Sequence, residues 1–277
     1  MSEASTPIAA VMLAPGETSR LPVLFDHWLW ATQLPGRYLP LTVEPQDIGD
    51  VISALPKAGF VGLHISATYQ KAVLDHADII TDRAALMSGA NTLIFRRDGK
   101  IHADNTDGYG FIENIRLSVP GWDARLGPAA IFGAGRAARV VISALIEVGV
   151  GQIRLTSRTR PKAEQLRSEF GTRIEVVDWL KAGNMAEGAA TVVNATPLGT
   201  RGNSDFRVPL DGLTPGAVAC DLTVDPPATR FLQQAAAYGC HVADGVGMLI
   251  CQASPSFERW FGQRPPNDED ARIAAAS

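Results

Sequence analysis

The sequence predicts an α/β protein built as two domains. The chain has 277 residues, more than the roughly 100–200 of one domain. Short β-type apolar runs alternate with longer amphipathic ones along its length, the pattern of mainly parallel sheets covered by helices. A glycine-rich turn, Gly133-Ala134-Gly135, stands between an apolar run and an amphipathic one, which marks the start of a strand–turn–helix unit. Hydrophobic residues make up 46% of the chain, enough for full cores.

In the first half, Pro7–Ala14 reads as a strand, Leu21–Gln33 as an aromatic-rich helix, Tyr38–Val43 as a strand and Gln46–Leu55 as a helix. Gly59–Ser66 is the next strand, with helical patterns from there to Gly89. Residues 91–104 read as a hairpin around the polar turn Arg97-Asp98-Gly99. The domain boundary is expected near Asp107–Ile115. Beyond it, Pro128–Gly133, Gln152–Arg158, Arg173–Val177, Ala190–Thr196 and Gly216–Val224 read as strands. Helices are expected after the glycine turn, where Ala137, Val141, Ala144, Leu145 and Val148 recur at helical spacing, and over Pro161–Phe170, Thr229–Tyr238 and Gly247–Phe261. The tail over 263–277, rich in Pro, Asp and Ala, is expected to be loose.

Composition narrows the function classes. A formal net charge of -4 argues against a nucleic-acid binder, which carries a basic patch or stripe. Three cysteines, Cys220, Cys240 and Cys251, form no CxxC, and with no metal-ligand spacing among the five histidines they argue against disulfides and a metal site. A reducing, cytoplasmic setting is expected. The N-terminal apolar run is short and lacks a basic leader, so it reads as a strand, and no apolar stretch reaches the ~18 residues of a membrane span.

The turn Gly133-Ala134-Gly135-Arg136-Ala137-Ala138 has the form G-x-G-x-x-A. Gly133 permits the tight turn out of the strand, Gly135 lets the backbone approach a pyrophosphate, and a small Ala138 lets the helix pack on the sheet. The helix N-terminus offers free N–H groups to phosphate. This is the signature of a Rossmann-type, doubly wound dinucleotide domain. The end of the following strand bears on which dinucleotide. An NAD site places an acidic residue there for the ribose 2′-hydroxyl; this chain has Ser157-Arg158-Thr159-Arg160 and then Lys162. Arg158 suits a 2′-phosphate, so NADP is the expected cofactor. Asn194 and Thr196, at the end of another strand, are further candidates for lining the crevice. Asp104-Asn105-Thr106-Asp107-Gly108 reads by composition as a turn and cap.

Ser88-Gly89-Ala90-Asn91-Thr92-Leu93, the Asp104–Gly108 segment, and Asp244-Gly245-Val246-Gly247-Met248-Leu249 with Gln252-Ala253 add a combination that resembles the shikimate/quinate dehydrogenase superfamily. Taken with the glycine turn, Ser157-Arg158-Thr159 and Asn194–Gly199, the resemblance spans about residues 7–262. It implies an N-terminal three-layer α/β substrate domain over 1–107, completed by a C-terminal helix over 247–262 that returns to it. It also implies a Rossmann domain over 108–246 that binds NADP. In that family, hydride passes between the nicotinamide and a ring carbon bearing a hydroxyl, and a Lys–Asp pair manages the hydroxyl proton. Asp107 matches the Asp. Asn91 and Gln252 match residues that hydrogen-bond the ring hydroxyls, Ser66 stands where the family has Thr, and Arg158 matches the NADP-phosphate arginine. Gly133, Ala134, Gly135, Arg136, Ala137, Ser157, Arg158, Thr159, Lys162, Asn194, Thr196 and Gly245 are the expected cofactor contacts. The partner is a small polyhydroxylated ring compound, the expected state is a monomer or homodimer, and the implied setting is aromatic amino acid biosynthesis.

The chain departs from the pattern where proton transfer is concerned. The family's N-V-T-V-P-F-K segment corresponds to His64-Ile65-Ser66-Ala67-Thr68-Tyr69-Gln70, so Gln70 takes the place of the catalytic Lys. A glutamine amide holds a hydroxyl but transfers no proton near neutral pH. Lys71 is one residue on, about 100° away if the turn is helical. His64 titrates in the right range and is either a replacement acid–base group or a hydrogen-bonding histidine at a strand end. The family's S-x-S-P appears as Ser19-Arg20-Leu21-Pro22, and a family Tyr falls on Val224, so Ser19 is kept as a substrate contact while the other carboxylate donors are gone. Three readings stay open: an NADP-dependent oxidoreductase of a ring polyol related to shikimate, a true shikimate 5-dehydrogenase with an altered proton relay, and a non-catalytic NADP-binding homologue.

Overall fold

The computed structural model describes residues 6–277, so the first five positions of the expected first domain lie outside the described residues. The chain divides into two compact units, one holding the residues up to Asp107 with Gln252–Ser277, the other Gly108–Cys251.

The first unit runs β1 (Ile8–Leu13), α1 (Leu21–Thr32), β2 (Arg37–Thr42), α2 (Ile48–Ala54), β3 (Phe60–Ile65), β4 (Ile79–Ile80), α3 (Asp82–Met87), β5 (Thr92–Phe95) and β6 (Ile101–Asp104). Its six-stranded sheet has the order β2-β1-β3-β5-β6-β4. β1 pairs in parallel with β2 and β3, β4 pairs in parallel with β6, and β5 is antiparallel to both β3 and β6. Strand alternation sorts side chains to two faces. Ala10, Met12, Leu63 and Ile65 join a buried cluster with Ile48 and Ile52 of α2. His64, on the opposite face of β3, joins an aromatic group with Phe25 of α1, Tyr38 and Trp260. Gly62 is needed on that face, because a Cβ there would lie 1.9 Å from Trp260 Nε1; the bare strand backbone lets the indole lie close.

Between β3 and β5 the helical expectation is only partly met. The segment contains a 3₁₀ turn over Ala72–His76, the two-residue strand β4 and the short α3. Ile79 and Ile80 pair with His102 and Ala103, so sheet pairing overrides local helical patterning, and Thr81 caps α3 by accepting from Ala84 N at 3.2 Å. The hairpin over 91–104 forms, with Thr92 opposite Asp104 and Phe95 opposite Ile101.

The second unit contains α4 (Asp107–Ser118, whose first residue belongs to the first unit), β7 (Ala129–Phe132), α5 (Arg136–Glu147), β8 (Ile153–Thr156), α6 (Arg160–Phe170), β9 (Ile174–Val177), β10 (Thr191–Asn194), β11 (Val218–Asp221), α7 (Arg230–Ala237) and β12 (His241–Ala243). All pairings are parallel in the order β12-β11-β10-β7-β8-β9. That is the doubly wound order, with its switch point between β7 and β10, where ligands of open α/β sheets bind. β12 went unread in the sequence, being three residues long.

The last helices are α8 (Gly245–Phe261) and α9 (Glu269–Ala276). The expectation of a loose tail over 263–277 is corrected by α9. Asp268 caps it by accepting from Ala271 N at 2.9 Å, Ala271, Ala274 and Ala275 are buried, and the helix packs on α1. Trp28 Nε1 donates to Pro266 O at 2.9 Å, which ties the segment before α9 to the same helix. Small alanines allow close helix approach, a signal that composition alone presented as low order.

Candidate functional site

In the first unit, the expected polar residues gather around the carboxyl end of β3 and the start of β5. Ile65 N donates to Asn91 O at 2.9 Å, Ser66 N to Met12 O at 2.9 Å, and Ala90 N to Gln70 O at 2.8 Å. These backbone bonds hold Ser66, Gln70 and Asn91 together. Asn91 is buried and fully used. Its Nδ2 donates to Asp107 Oδ1 at 2.7 Å and to Thr106 Oγ1 at 2.9 Å, while its Oδ1 accepts from Thr106 N at 3.0 Å and Thr92 Oγ1 at 3.0 Å. Asp107 is thereby fixed at the first turn of α4, half exposed. Its backbone N donates to Asn105 Oδ1 at 3.1 Å, so Asn105 supplies the turn chemistry expected of this segment.

Asp104 has a different job. Arg83 grips it through Nε at 2.6 Å and Nη2 at 2.5 Å, and Thr81 Oγ1 adds a bond at 2.9 Å. Burial acts to raise its pKa, but Arg83, Thr81 and the Asn105 N–H hold the carboxyl below its ordinary range. It anchors α3 to β6 as a structural ion pair.

Gln70 is 6% exposed. Its Nε2 donates to Ile65 O at 3.2 Å, and its Oε1 is buried with no hydrogen-bond partner. A buried acceptor without a donor costs about 1–3 kcal/mol, so this oxygen has unused capacity to accept a hydrogen bond. Ser66 Oγ is likewise buried without a full hydrogen bond. Lys71 is exposed where Gln70 is buried, so it does not take the missing lysine's place. Ser19 Oγ accepts from Leu21 N at 3.2 Å and keeps its proton to donate. Gln252, on α8, is half buried.

Of the two roles the sequence leaves open for His64, its setting favours the hydrogen-bonding one. Its ring is 4% exposed, shares a 2.7 Å hydrogen bond through Nδ1 with the Tyr38 hydroxyl and stands edge-on to Trp260 and Phe25. Burial pushes its pKa down to about 3. At neutral pH the imidazole is therefore neutral, a hydrogen-bonded residue of the core.

In the second unit, the glycine turn has the geometry that a dinucleotide needs. Gly133 has φ +109, and a Cβ on it would lie 2.6 Å from Ala195 O. β7 and β10 pair Phe132 with Asn194, so the turn and the Asn194 segment are side by side at the switch point. A Cβ on Gly135 would meet nothing within 4 Å, which leaves open space at the N-terminus of α5. No side chain caps that terminus, so its first N–H groups are free of an Ncap side chain and suit phosphate. Ala134 and Ala138 are buried, while Arg136 and Ala137 are half exposed or exposed.

The loop after β8, Ser157-Arg158-Thr159, carries no acidic side chain. Ser157 Oγ accepts from Thr159 N at 3.1 Å, shaping the turn into α6. Arg160 is engaged by Glu164 at 3.0 Å and Asp178 at 3.8 Å. Arg158 and Lys162 are exposed, and neither forms an ion pair among the described residues. Arg158 borders a cavity of about 880 Å³ with Trp179 and Leu198 in its wall. These groups fit an adenosine 2′-phosphate.

Asn194, Thr196 and Gly245 are placed by structural needs. Asn194 is fully buried. Its Nδ2 donates to Asp221 Oδ2 at 3.0 Å and Leu198 O at 3.0 Å, and its Oδ1 accepts from Thr196 N at 3.1 Å and Thr196 Oγ1 at 2.6 Å. It therefore has no capacity left for a cofactor and instead shapes the turn that Gly133 approaches. A Cβ on Gly245 would lie 2.3 Å from Thr223 O, so its smallness serves packing. Sequence reasoning missed Asp221, which also accepts from Thr229 Oγ1 at 2.7 Å, and Glu17, held by Ala14 N at 2.9 Å and by the Thr68 hydroxyl. No group of three potential ligands for a metal occurs among the described residues, and no described helix is long and apolar enough to cross a membrane.

Comparison with known proteins agrees with this layout. Residues 11–93 match the shikimate dehydrogenase substrate binding domain, and residues 125–200 match the shikimate / quinate 5-dehydrogenase family. The chain is 53% identical over 268 residues to a shikimate dehydrogenase (NADP(+)) of Cereibacter sphaeroides, covering 97% of this chain and 96% of that one. Among solved structures, it resembles shikimate 5-dehydrogenase of Thermus thermophilus in complex with NADP(H) and shikimate, with TM-score 0.83, 30% identity and 98% of each chain covered. It also resembles the ligand-free 5-ketofructose reductase of a Gluconobacter species, with TM-score 0.85, 27% identity and 98% of each chain covered.

Proposed function

The chain belongs to the shikimate dehydrogenase family, and from that premise we propose that it is an NADP-dependent oxidoreductase interconverting a hydroxyl and a keto group on a ring polyol related to shikimate. The observation that carries this reading is the grouping of Gln70, Asn91 and Asp107, with a buried acceptor lacking a donor on Gln70 and a carboxylate oriented by Asn91. The turn Gly133–Ala138 and the N-terminus of α5 hold the pyrophosphate, and Arg158 with Lys162 holds the 2′-phosphate. The chemistry NADP supplies when bound is a two-electron hydride acceptor or donor.

The chain's own residues handle the proton and the orientation. Asp107 accepts the hydroxyl proton as the alcohol becomes a ketone and returns it in the reverse direction. Gln70 Oε1 and Ser66 hold ring hydroxyls in place, and Gln252 adds an amide. With Gln70 in the lysine position and His64 neutral, Asp107 is the one titratable group of this set. Losing a positioned proton-transfer group costs about 10²–10⁴ in rate, so slow turnover belongs to the proposal. Three buried free cysteines suit a reducing, cytoplasmic setting, and we take the active species to be a monomer or homodimer.

The test is NADP+ reduction across a panel of ring polyols, for wild type and Asp107→Asn. Turnover that falls in the variant while NADPH affinity holds supports the reading. Tight NADPH binding with no turnover of any polyol overturns it in favour of a non-catalytic binding protein. A second reading, shikimate 5-dehydrogenase itself, is favoured by the 53% identity to the Cereibacter sphaeroides relative of that name; strong turnover of shikimate would select it.

A further inference from the structure

Glu17 lies in the turn after β1, next to the segment that follows β3, and those two strands are parallel neighbours with Met12 opposite Ile65. It therefore stands at the carboxyl ends of the strands, the side on which α/β sheets bind ligands. Its Oε2 accepts from Ala14 N at 2.9 Å, its Oε1 accepts from the Thr68 hydroxyl, and the Ser66 hydroxyl acts on it as well. A backbone N–H and a hydroxyl are donors of the kind an incoming carboxylate would require, and here a carboxylate of the chain already uses them. Partial burial acts to raise the Glu17 pKa, but the three donors outweigh it and hold the carboxyl below its usual range, so it is charged at neutral pH.

No arginine or lysine is among the groups that set the ionisation of Glu17. Arg20, the nearest cation in sequence, directs its Nε to Ser277 O at 3.2 Å. Leu21 is buried and apolar. An anionic ligand would meet the fixed Glu17 charge with the Ala14 N–H and the Thr68 hydroxyl already engaged by it, a repulsive element of the kind that discriminates between ligands.

We infer that Glu17 is a specificity-determining residue that excludes a ring carboxylate, and that the substrate is an uncharged polyol carrying its hydroxyls where Ser66, Gln70 and Asp107 can hold them. The inference rests on the reading of those residues as the substrate half of a dehydrogenase.

The experiment compares shikimate with its carboxyl-reduced alcohol, in which a hydroxymethyl group replaces the carboxylate. Binding to the NADP+-loaded protein is measured by calorimetry and turnover by NADPH formation, for wild type and Glu17→Gln. The wild type should bind the alcohol at least about tenfold more tightly than shikimate, the scale of one partly screened like-charge contact. Glu17→Gln should improve shikimate by about tenfold and leave the alcohol nearly unchanged. Equal or tighter binding of shikimate by the wild type overturns the inference, as does an unchanged ratio in a folded variant or failure of both rings to bind. The wild-type comparison decides even if the variant does not fold. Preference for the alcohol without turnover keeps the inference and removes the dehydrogenase reading; turnover with shikimate preferred does the reverse.

Discussion

Removing the Arg158 guanidinium should separate NADPH from NADH. Arg158 is exposed, stands two residues beyond the end of β8, and forms no ion pair among the described residues, whereas neighbouring Arg160 is held by Glu164 and Asp178. Arg158 thus meets a 2′-phosphate without first breaking a bond. A charge-assisted hydrogen bond contributes about 1.5–3 kcal/mol, and exposure pulls the value toward the lower end. Arg158→Ala should therefore raise the Kd for NADPH by about 10- to 100-fold. NADH has only a hydroxyl at that position, so its Kd should move by no more than a few-fold, the remnant of stacking on the guanidinium plane. Fluorescence titration of both dinucleotides gives the two ratios directly. Repeating it at rising ionic strength adds a second readout, since the wild-type preference for NADPH should shrink as salt screens the contact. An equal loss for both dinucleotides, or a preference for NADPH unaffected by the substitution, would refute the 2′-phosphate assignment.

Gly133→Ala should cost at least about 1–3 kcal/mol in a thermal or urea melt and abolish NADPH binding, because its φ of +109 and the 2.6 Å approach to Ala195 O leave a methyl no room; an unshifted melt would mean that the turn can relax. Asp107→Asn should lower kcat by about 10²–10⁴ with the melt unchanged, and full activity would reduce Asp107 to a helix-start residue. Gln70→Lys should raise kcat by about tenfold or more and add an ionisation to the pH–rate profile; a rate that stays flat would show that proton handling is not what limits the reaction. His64 has a pKa of about 3 in the fold and about 6.5 unfolded, so the unfolded chain binds the extra proton between those values. The stability His64 contributes is complete above pH 6.5 and is lost as pH falls toward 3, by up to about 5 kcal/mol. His64→Asn should flatten that slope in urea titrations, and an unaltered slope would place the acid sensitivity elsewhere.

The fold was legible where a signal is local. β7, α5 and the turn between them follow from an apolar run, two glycines and a 3.6-residue period, and all lie within about 20 residues of one another. What escaped was set by distant partners. β4 is two residues long and becomes a strand only because β6 pairs with it. α9 looked loose because Asp268–Ala276 offers alanine and charge with a single large apolar side chain, the exposed Ile273, yet α1 supplies the surface on which Ala271, Ala274 and Ala275 are buried. A short helix of small residues gains its stability from tertiary packing and not from its own propensity.

The site divides along the same physical line. Gly133 and Arg158 could be proposed from residue type and distance to a strand end, and Asp107 from the family resemblance. Asn194 could not be judged that way, because its four hydrogen bonds reach from Thr196 to Asp221, and only that set shows its capacity to be exhausted. His64 is the sharper case. As an isolated residue it titrates in the catalytic range, and the aromatic rings that pull its pKa to about 3 come from α1, β2 and α8. Glu17 runs the other way. In the sequence it is one acidic residue in a polar turn, but Ala14 and Thr68 convert it into a fixed charge at the mouth of the polar group. Gln70 and Glu17 then have consistent effects. One removes a cation from the site and the other adds an anion, so the local charge is two units more negative than with a lysine and a neutral turn. A site changed in that direction loses affinity for an anionic ring while keeping its hydroxyl contacts, so scaffold and cofactor can persist while the charge of the preferred substrate changes.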